Sequence, residues 1–503
     1  MKIPRILSLP IFFLGCFLLT SCPLLFNPSS EPGPVTDKLI FKLVNQWGIR
    51  GGREGWENIP DGALWITADA MKAENAVVMF FDNLVNYDPI LLATFRIKHS
   101  RRADLRIKFY LGDPNTQLYG ESKTFLPSEI YSGGGGYSDE TIALDLSEWI
   151  EKLQSKNLYL SVWDDGAQSA SGKISSFQLE VYADYGQAPI EIINTDTTLP
   201  LSTVNNSSVQ AIINTVDHLG VIQTAAPASR SIKSIRSLFS TRPIDNDEYL
   251  ELRAKVGVKE EGRNYNNIIS GHGTGLAPPS EAEWEDIRKS GMVVKRETGS
   301  RAIKTLPTLV DLSDDPAFPP IGDQGQFGSC AAFATTYYIK TYMEAKERGW
   351  DLSDASSDLL THIMSPKFVF ELANDGHTSG IYASSAIRII TEIGCTSWHT
   401  LPYDATYNGS ILAENIWREA PFYRGRVPNY SEHNCYYQMY VDTDEDIEIL
   451  KELLVAGIPI FIGVDGNKYS SLDSQDIWDV DNYHDVSDNH GNTIVGYKMP
   501  TTP

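Results

Sequence analysis

Cysteine is scarce in this chain, five residues in 503, and so is positive charge, with 42 Lys and Arg against 65 Asp and Glu and a net charge of −23. Thiols this sparse exclude the dense disulfide framework of a small secreted scaffold. The acidic balance, with a pI near 4.8, excludes nucleic acid as a partner, because phosphate binding needs a basic face. Beyond Leu19 no apolar run is long enough to span a bilayer. What is present is a globular composition: 42% hydrophobic residues supply real cores, and the length accommodates two or three domains.

The one sustained apolar stretch stands at the start. Residues 1–21 combine Lys2 and Arg5 with an apolar run over 6–19, the layout of a signal peptide. Leu19-Thr20-Ser21-Cys22 resembles the bacterial lipoprotein cleavage box, which implies lipidation of Cys22 and anchorage in the bacterial cell envelope; the alternative is an ordinary secretory signal with an incidental Cys. Residues 22–36, rich in Pro and Ser, read as a spacer.

Residues 37–184 alternate apolar and polar positions in segments such as 93–98, 105–111, 158–163 and 177–182, the period of half-buried strands. The expectation is an antiparallel β-sandwich of jelly-roll type. Trp47, Trp56, Trp65 and Trp163 are either core or a platform for a sugar ring, and Asp164-Asp165 is a solvated turn or part of a calcium site. Residues 185–300 hold helical candidates at 207–219, 247–256 and 280–291, the last with Ser280 as N-cap and Glu283 three positions on. This region is a linker or an inhibitory prosegment, whose covering stretch would lie at 274–279.

Chemistry concentrates after residue 301. Pro320-Ile321-Gly322-Asp323-Gln324-Gly325-Gln326-Phe327-Gly328-Ser329-Cys330 is a Gly-rich loop that delivers one Cys to a helix start, where unpaired N–H groups favour a thiolate. Far downstream, His490 opens a β-branched strand that ends in Gly496-Tyr497; a thiolate needs such a proton partner. His362, His377, His399 and His484 lack that following strand.

These motifs resemble those of the papain-like cysteine peptidases: Gln six positions before the Cys, Gly-Ser-Cys opening a helix, and His six before Gly-Tyr. The resemblance implies an α+β fold with a helical half and a β half over 301–503. It makes Cys330 the nucleophile, His490 the acid/base and Gln324 an oxyanion donor, and it places Gly380 and Tyr382 near the loop that binds substrate backbone. It implies a peptide or protein substrate and no cofactor. Cys395 and Cys435 remain as either a disulfide or two separate buried thiols.

One family feature is not found. The Asn-Ser-Trp-Gly run that follows the His strand and orients the imidazole does not occur between His490 and Pro503, so the β half is expected to be C-terminally incomplete. A fragment, a decaying copy and a working Cys/His dyad are the alternatives. Two functions follow: an envelope thiol endopeptidase, or an inactive lipoprotein whose β-sandwich binds a glycan or surface protein.

Overall fold

The structure, a computed structural model, describes residues 36–48, 62–84, 88–99, 105–112, 119–125, 137–164, 171–195, 199–202, 208–215, 235–260, 262–269, 271–295, 305–353, 358–374, 380–404, 413–425, 436–472 and 477–500. The signal, Cys22, Trp56, Asp165, His377, Cys435 and the side chain of Trp163 lie outside the described residues.

In chain order the strands are β1 (Ile40–Val44), β2 (Ala63–Thr67), β3 (Ala76–Phe80), β4 (Leu91–His99), β5 (Leu105–Gly112), β6 (Tyr119–Phe125), β7 (Tyr137–Asp145), β8 (Asn157–Asp164), β9 (Ser171–Val181), β10 (Glu191–Thr195), β11 (Leu199–Ser202) and β12 (Ser208–Thr215). They continue with β13 (Ser240–Pro243), β14 (Ile268–Ile269), β15 (His272–Gly273), β16 (Met292–Lys295), β17 (Leu309–Asp311), β18 (Tyr437–Val441), β19 (Ile460–Val464), β20 (Ile477–Trp478) and β21 (His490–Lys498).

The alternating segments of the N-terminal half form two antiparallel sheets, β10-β9-β4-β7 with β11 also on β9, and β12-β8-β5-β6. Their inner faces share a cluster of aromatic rings: Phe109 of the second sheet lies 6.5 Å from Phe95 and 6.4 Å from Phe177 of the first. Where a helix is expected at 207–219, the described part, 208–215, is instead β12, an edge strand paired along β8, and strand pairing outweighs a weak helical pattern.

The first three strands do not join these sheets, which corrects the domain boundary at residue 37. They enter a ten-stranded sheet ordered β13-β16-β18-β3-β19-β21-β1-β2-β20, with β17 also on β21. β1 runs antiparallel to β21, with Ile40 opposite Lys498 and Val44 opposite Thr493, and β3 lies between β18 and β19. The strand that His490 opens is therefore flanked on one side by β19 and on the other by a segment some four hundred and fifty positions earlier in the chain. The β half is not left with a bare edge there. Lys42, the polar residue within β1, is buried and reaches Asp311 Oδ2 at 2.7 Å and Ser313 Oγ at 2.9 Å, as a buried charge must.

The helical half is built on a helix over 330–348 whose middle, Phe333–Lys340, is π-helical. It ends at Gly349 in the left-handed conformation, φ 68°. The helices Pro366–Asn374 and Ala383–Glu392 pack on it. Buried at its centre, Lys340 pairs with Glu344 and Asn83, while Asn83 Nδ2 donates to Glu344 Oε1 at 3.2 Å and Glu347 Oε2 at 3.1 Å. The two-sheet body is tied to the same half by Arg418, which grips both carboxylate oxygens of Glu180 at 2.7 and 2.9 Å, and by Arg424, 3.3 Å from Asp145.

Candidate active site

Cys330 begins the central helix after Ser329, and its loop is held rigidly. Tyr403 OH donates to the Gln324 carbonyl at 2.8 Å and lies 2.8 Å from Ser329 Oγ. Tyr337 and Tyr338 hydroxyls bind Pro320 O at 2.9 Å and Gly322 N at 3.1 Å. The Gly491 N–H points at the Cys330 thiol, and a Cβ on Gly491 would stand 3.5 Å from Ala331 Cα. The start of the His490 strand and the start of the Cys330 helix are thus in contact.

The imidazole of His490 is completely buried. Its Nε2 lies 3.1 Å from Asn45 Oδ1 and 3.1 Å from Gln46 Nε2, and Gln46 Nε2 donates to Gly491 O at 2.7 Å. Trp47 covers the ring at a centroid distance of 4.6 Å. Among the described residues Nδ1 has no hydrogen-bond partner, so it is the nitrogen left for proton exchange. Asn45 stands where an orienting Asn would: in the tautomer that carries its proton on Nε2, the Asn45 amide oxygen accepts that proton and holds the ring. Asn489 and Asn492 are committed elsewhere, to Asp465 and Tyr469.

This overturns the expectation that the orienting Asn is missing. Asn45-Gln46-Trp47-Gly48 is an Asn-Ser-Trp-Gly run with Gln for Ser, standing before the Cys rather than after the His. Its backbone pairs with the Cys loop: Gln324 N donates to Gln46 O at 2.8 Å and Gly48 N to Gly322 O at 3.0 Å. A search downstream of His490 cannot find it; a search of the whole chain for Asn-x-Trp-Gly would.

Residues 306–502 match the family model of the papain family cysteine proteases. That match stops short of Asn45, yet the papain-like site is closed by it. No curated protein matches the chain. Among solved structures, the crystal structure of xylellain, a cysteine protease from Xylella fastidiosa, is 21% identical over 38% of this chain and 65% of its own length, with a TM-score of 0.26; a superposition that loose carries no argument. The chain thus spans less than two thirds of that protein.

The papain-like cleft is occupied by the chain itself. The stretch 273–277, hereafter the plug, crosses it. Gln324 Nε2, the expected oxyanion donor, gives one hydrogen bond to Gly273 O at 2.8 Å and the other to Phe327 O of its own loop at 2.6 Å, and Trp47 Nε1 donates to Gly273 O at 3.1 Å. Gly273 N donates to Gly325 O at 2.9 Å; Gly275 N and Leu276 N both donate to Asn489 O at 3.0 Å. On the opposite wall Ile381 N donates to Gly275 O at 2.9 Å and Ala277 N to Ile381 O at 3.2 Å. Gly380 and Tyr382 therefore flank the residue that holds peptide backbone. Contact is so close that a Cβ on Gly380 would fall 1.6 Å from Gly275 O, and one on Gly275, at φ 119°, 2.3 Å from Gly328 Cα.

Covering the site sets its electrostatics. Burial pushes the Cys330 thiol up to about 12, outweighing the N–H groups of the helix start. Burial, with His272 of the β14/β15 hairpin nearby, pulls His490 down to about 3. The expected thiolate is not favoured at a thiol this deeply buried; Cys330 and His490 rest as neutral thiol and neutral imidazole, with no hydrogen bond between Nδ1 and Sγ.

The other candidates sit apart. His362 stacks on Trp350 at 4.2 Å, and exposed His484 lies 3.2 Å from Glu74. Cys395 is a buried thiol, 3.6 Å from Tyr423 O, and is free among the described residues, to which Cys435 does not belong. Trp47 and Trp65 are core residues, not a sugar platform.

Proposed function

We propose that the protein is a cysteine endopeptidase kept latent by its own plug, anchored in the bacterial cell envelope through Cys22. The observation that carries this reading is the His490 ring held by Asn45 beside the Cys330 helix start, with the Gln324 amide aimed into the same cleft. With the plug gone and solvent admitted, the proton of Cys330 passes to His490 Nδ1, and the thiolate attacks a peptide carbonyl. Gln324 Nε2 and the Cys330 backbone N–H receive the developing oxyanion, where one donor is typically worth about 10²–10³ in rate. His490 then gives Nδ1–H to the leaving amine and takes a proton from the water that hydrolyses the thioester, while Asn45 Oδ1 keeps the ring in plane. The anchor rests on Leu19-Thr20-Ser21-Cys22. The two-sheet body is read as a module that seats the enzyme on a glycan or surface protein.

The test is hydrolysis of a mixed peptide pool by protein whose plug has been loosened, alongside Cys330→Ala and His490→Ala. Turnover abolished by both substitutions is expected. Turnover that survives Cys330→Ala, or none in a loosened protein whose Cys330 is freely alkylated, would refute the reading.

A further inference from the structure

In chain order the plug lies between two halves of one active site. Asn45, Gln46 and Trp47 stand before it; Gln324, Cys330 and His490 stand after it. The plug uses the Gln324 amide and both backbone groups of Ile381, so it and a substrate backbone exclude one another. Resting on the proposed function, we infer that the active peptidase is a two-piece protein: hydrolysis of the chain beside the plug, one water consumed per peptide bond to give a carboxylate and an amine, leaves the N-terminal piece docked as a structural subunit that supplies Asn45.

The interface between the pieces is already a protein interior. β1 and β3 are inner strands of the ten-stranded sheet, each bonded on both edges, and on the side of the second piece β1 meets β21 while β3 meets β18 and β19. Phe41, Leu43, Val44, Val77, Val78, Met79 and Phe80 are all at most 3% exposed. Charged groups fasten the same joint: Lys42 on Asp311 and Asn83 in the Lys340–Glu344 pair, with Arg418 on Glu180 at the rim. Interfaces of this kind, with apolar strands shared in one sheet, behave as obligate ones. Loss of the covalent link through the plug therefore leaves the pieces together, whereas loss of the first piece strips the imidazole of its partner and bares an edge of β21.

The experiment inserts a recognition sequence for a site-specific protease after Gly257, where the backbone has φ 82° and a side chain would meet nothing within 4 Å. The uncut insertion protein must match the parent in melting temperature. After cutting, the two pieces are expected to co-elute in size-exclusion chromatography, and Cys330 to be alkylated by iodoacetamide at least tenfold faster than in the uncut chain. Asn45→Ala in the cut protein should shift the pH profile of that alkylation toward an ordinary thiol. Separation of the pieces on cutting would overturn the inference, as would an isolated C-terminal piece that hydrolyses peptides as fast as the complex, or an uncut chain as active as the cut one. Co-elution and fast alkylation without hydrolysis of any peptide would uphold the two-piece assembly and refute the peptidase reading.

Discussion

Gly275→Ala should open the site. A methyl at this position would stand 2.3 to 2.5 Å from three backbone atoms of Gly328, which the Tyr403 and Tyr337 anchors keep from retreating. Overpacking of this kind costs about 1–3 kcal/mol, and forcing a Cβ to φ 119° adds about 1 kcal/mol. The plug is held by hydrogen bonds worth about 1 kcal/mol net each, so closure is favoured by several kcal/mol and the substitution removes roughly 2–4 of them. If alkylation of Cys330 proceeds through the opened form, its rate should rise about 30- to 700-fold, at roughly tenfold per 1.4 kcal/mol. The assay is iodoacetamide labelling at pH 7.5, with Cys330→Ala to identify the labelled thiol. Gly262→Ala is the control, since it places a Cβ at φ 76° with nothing within 4 Å. Slow labelling of the parent with an unchanged rate in Gly275→Ala would refute the claim that the plug is what shields Cys330.

Other outcomes follow from the same geometry. Asn45→Ala removes the acceptor for His490 Nε2; kcat should fall by about tenfold or more with KM little changed, and a rise in KM alone would contradict the positioning role. Gln324→Ala in opened protein should lower kcat by about 10²–10³. Acid should loosen the plug: His490, ordinarily near 6.5, is pulled to about 3 when covered, so only the open form takes up a proton as pH falls from 6.5 toward 3, and closure weakens over that window. Above pH 9 the raised Cys330 thiol acts in the same sense, since only the open form ionises. Peptide-bond protection of the plug against an added protease should therefore be greatest between about pH 6.5 and 9, and flat protection from pH 4 to 8 would count against it. Phe41→Ala, at a completely buried side chain of β1, should cost about 3–5 kcal/mol, read as a lower melting temperature in the intact chain and as dissociation in the cut one.

Much of the site was legible because its signals are local. A Gly-rich loop before a helix fixes Cys330 and Gln324 within ten residues, the β-branched run after His490 marks its strand, and Ser280 with Glu283 forms the capping box expected of them. Asn45 was hidden by order alone, since every rule applied to it assumed the usual sequence of segments. β1 to β3 were assigned to the wrong sheet because period-two alternation reveals a strand but not its neighbour. The plug was foreseeable only as a location, at 274–279; that it occupies the Gln324 amide and the backbone of Ile381 depends on glycine contacts that no periodicity encodes. Cys330 shows the remaining limit, since a helix start favours a thiolate only where water can reach it.

Interleaving of β1 with β21 also sets when the site can exist. A strand made some four hundred and fifty residues earlier waits, unpaired on that side, until the segment 490–498 has left the ribosome, and contacts of such separation form late. By then the plug, which precedes Cys330 in the chain, has long been made. Cys330, the imidazole and Asn45 come together only in the presence of the backbone that crosses the cleft, so the nascent chain passes through no stage at which the site is assembled and uncovered.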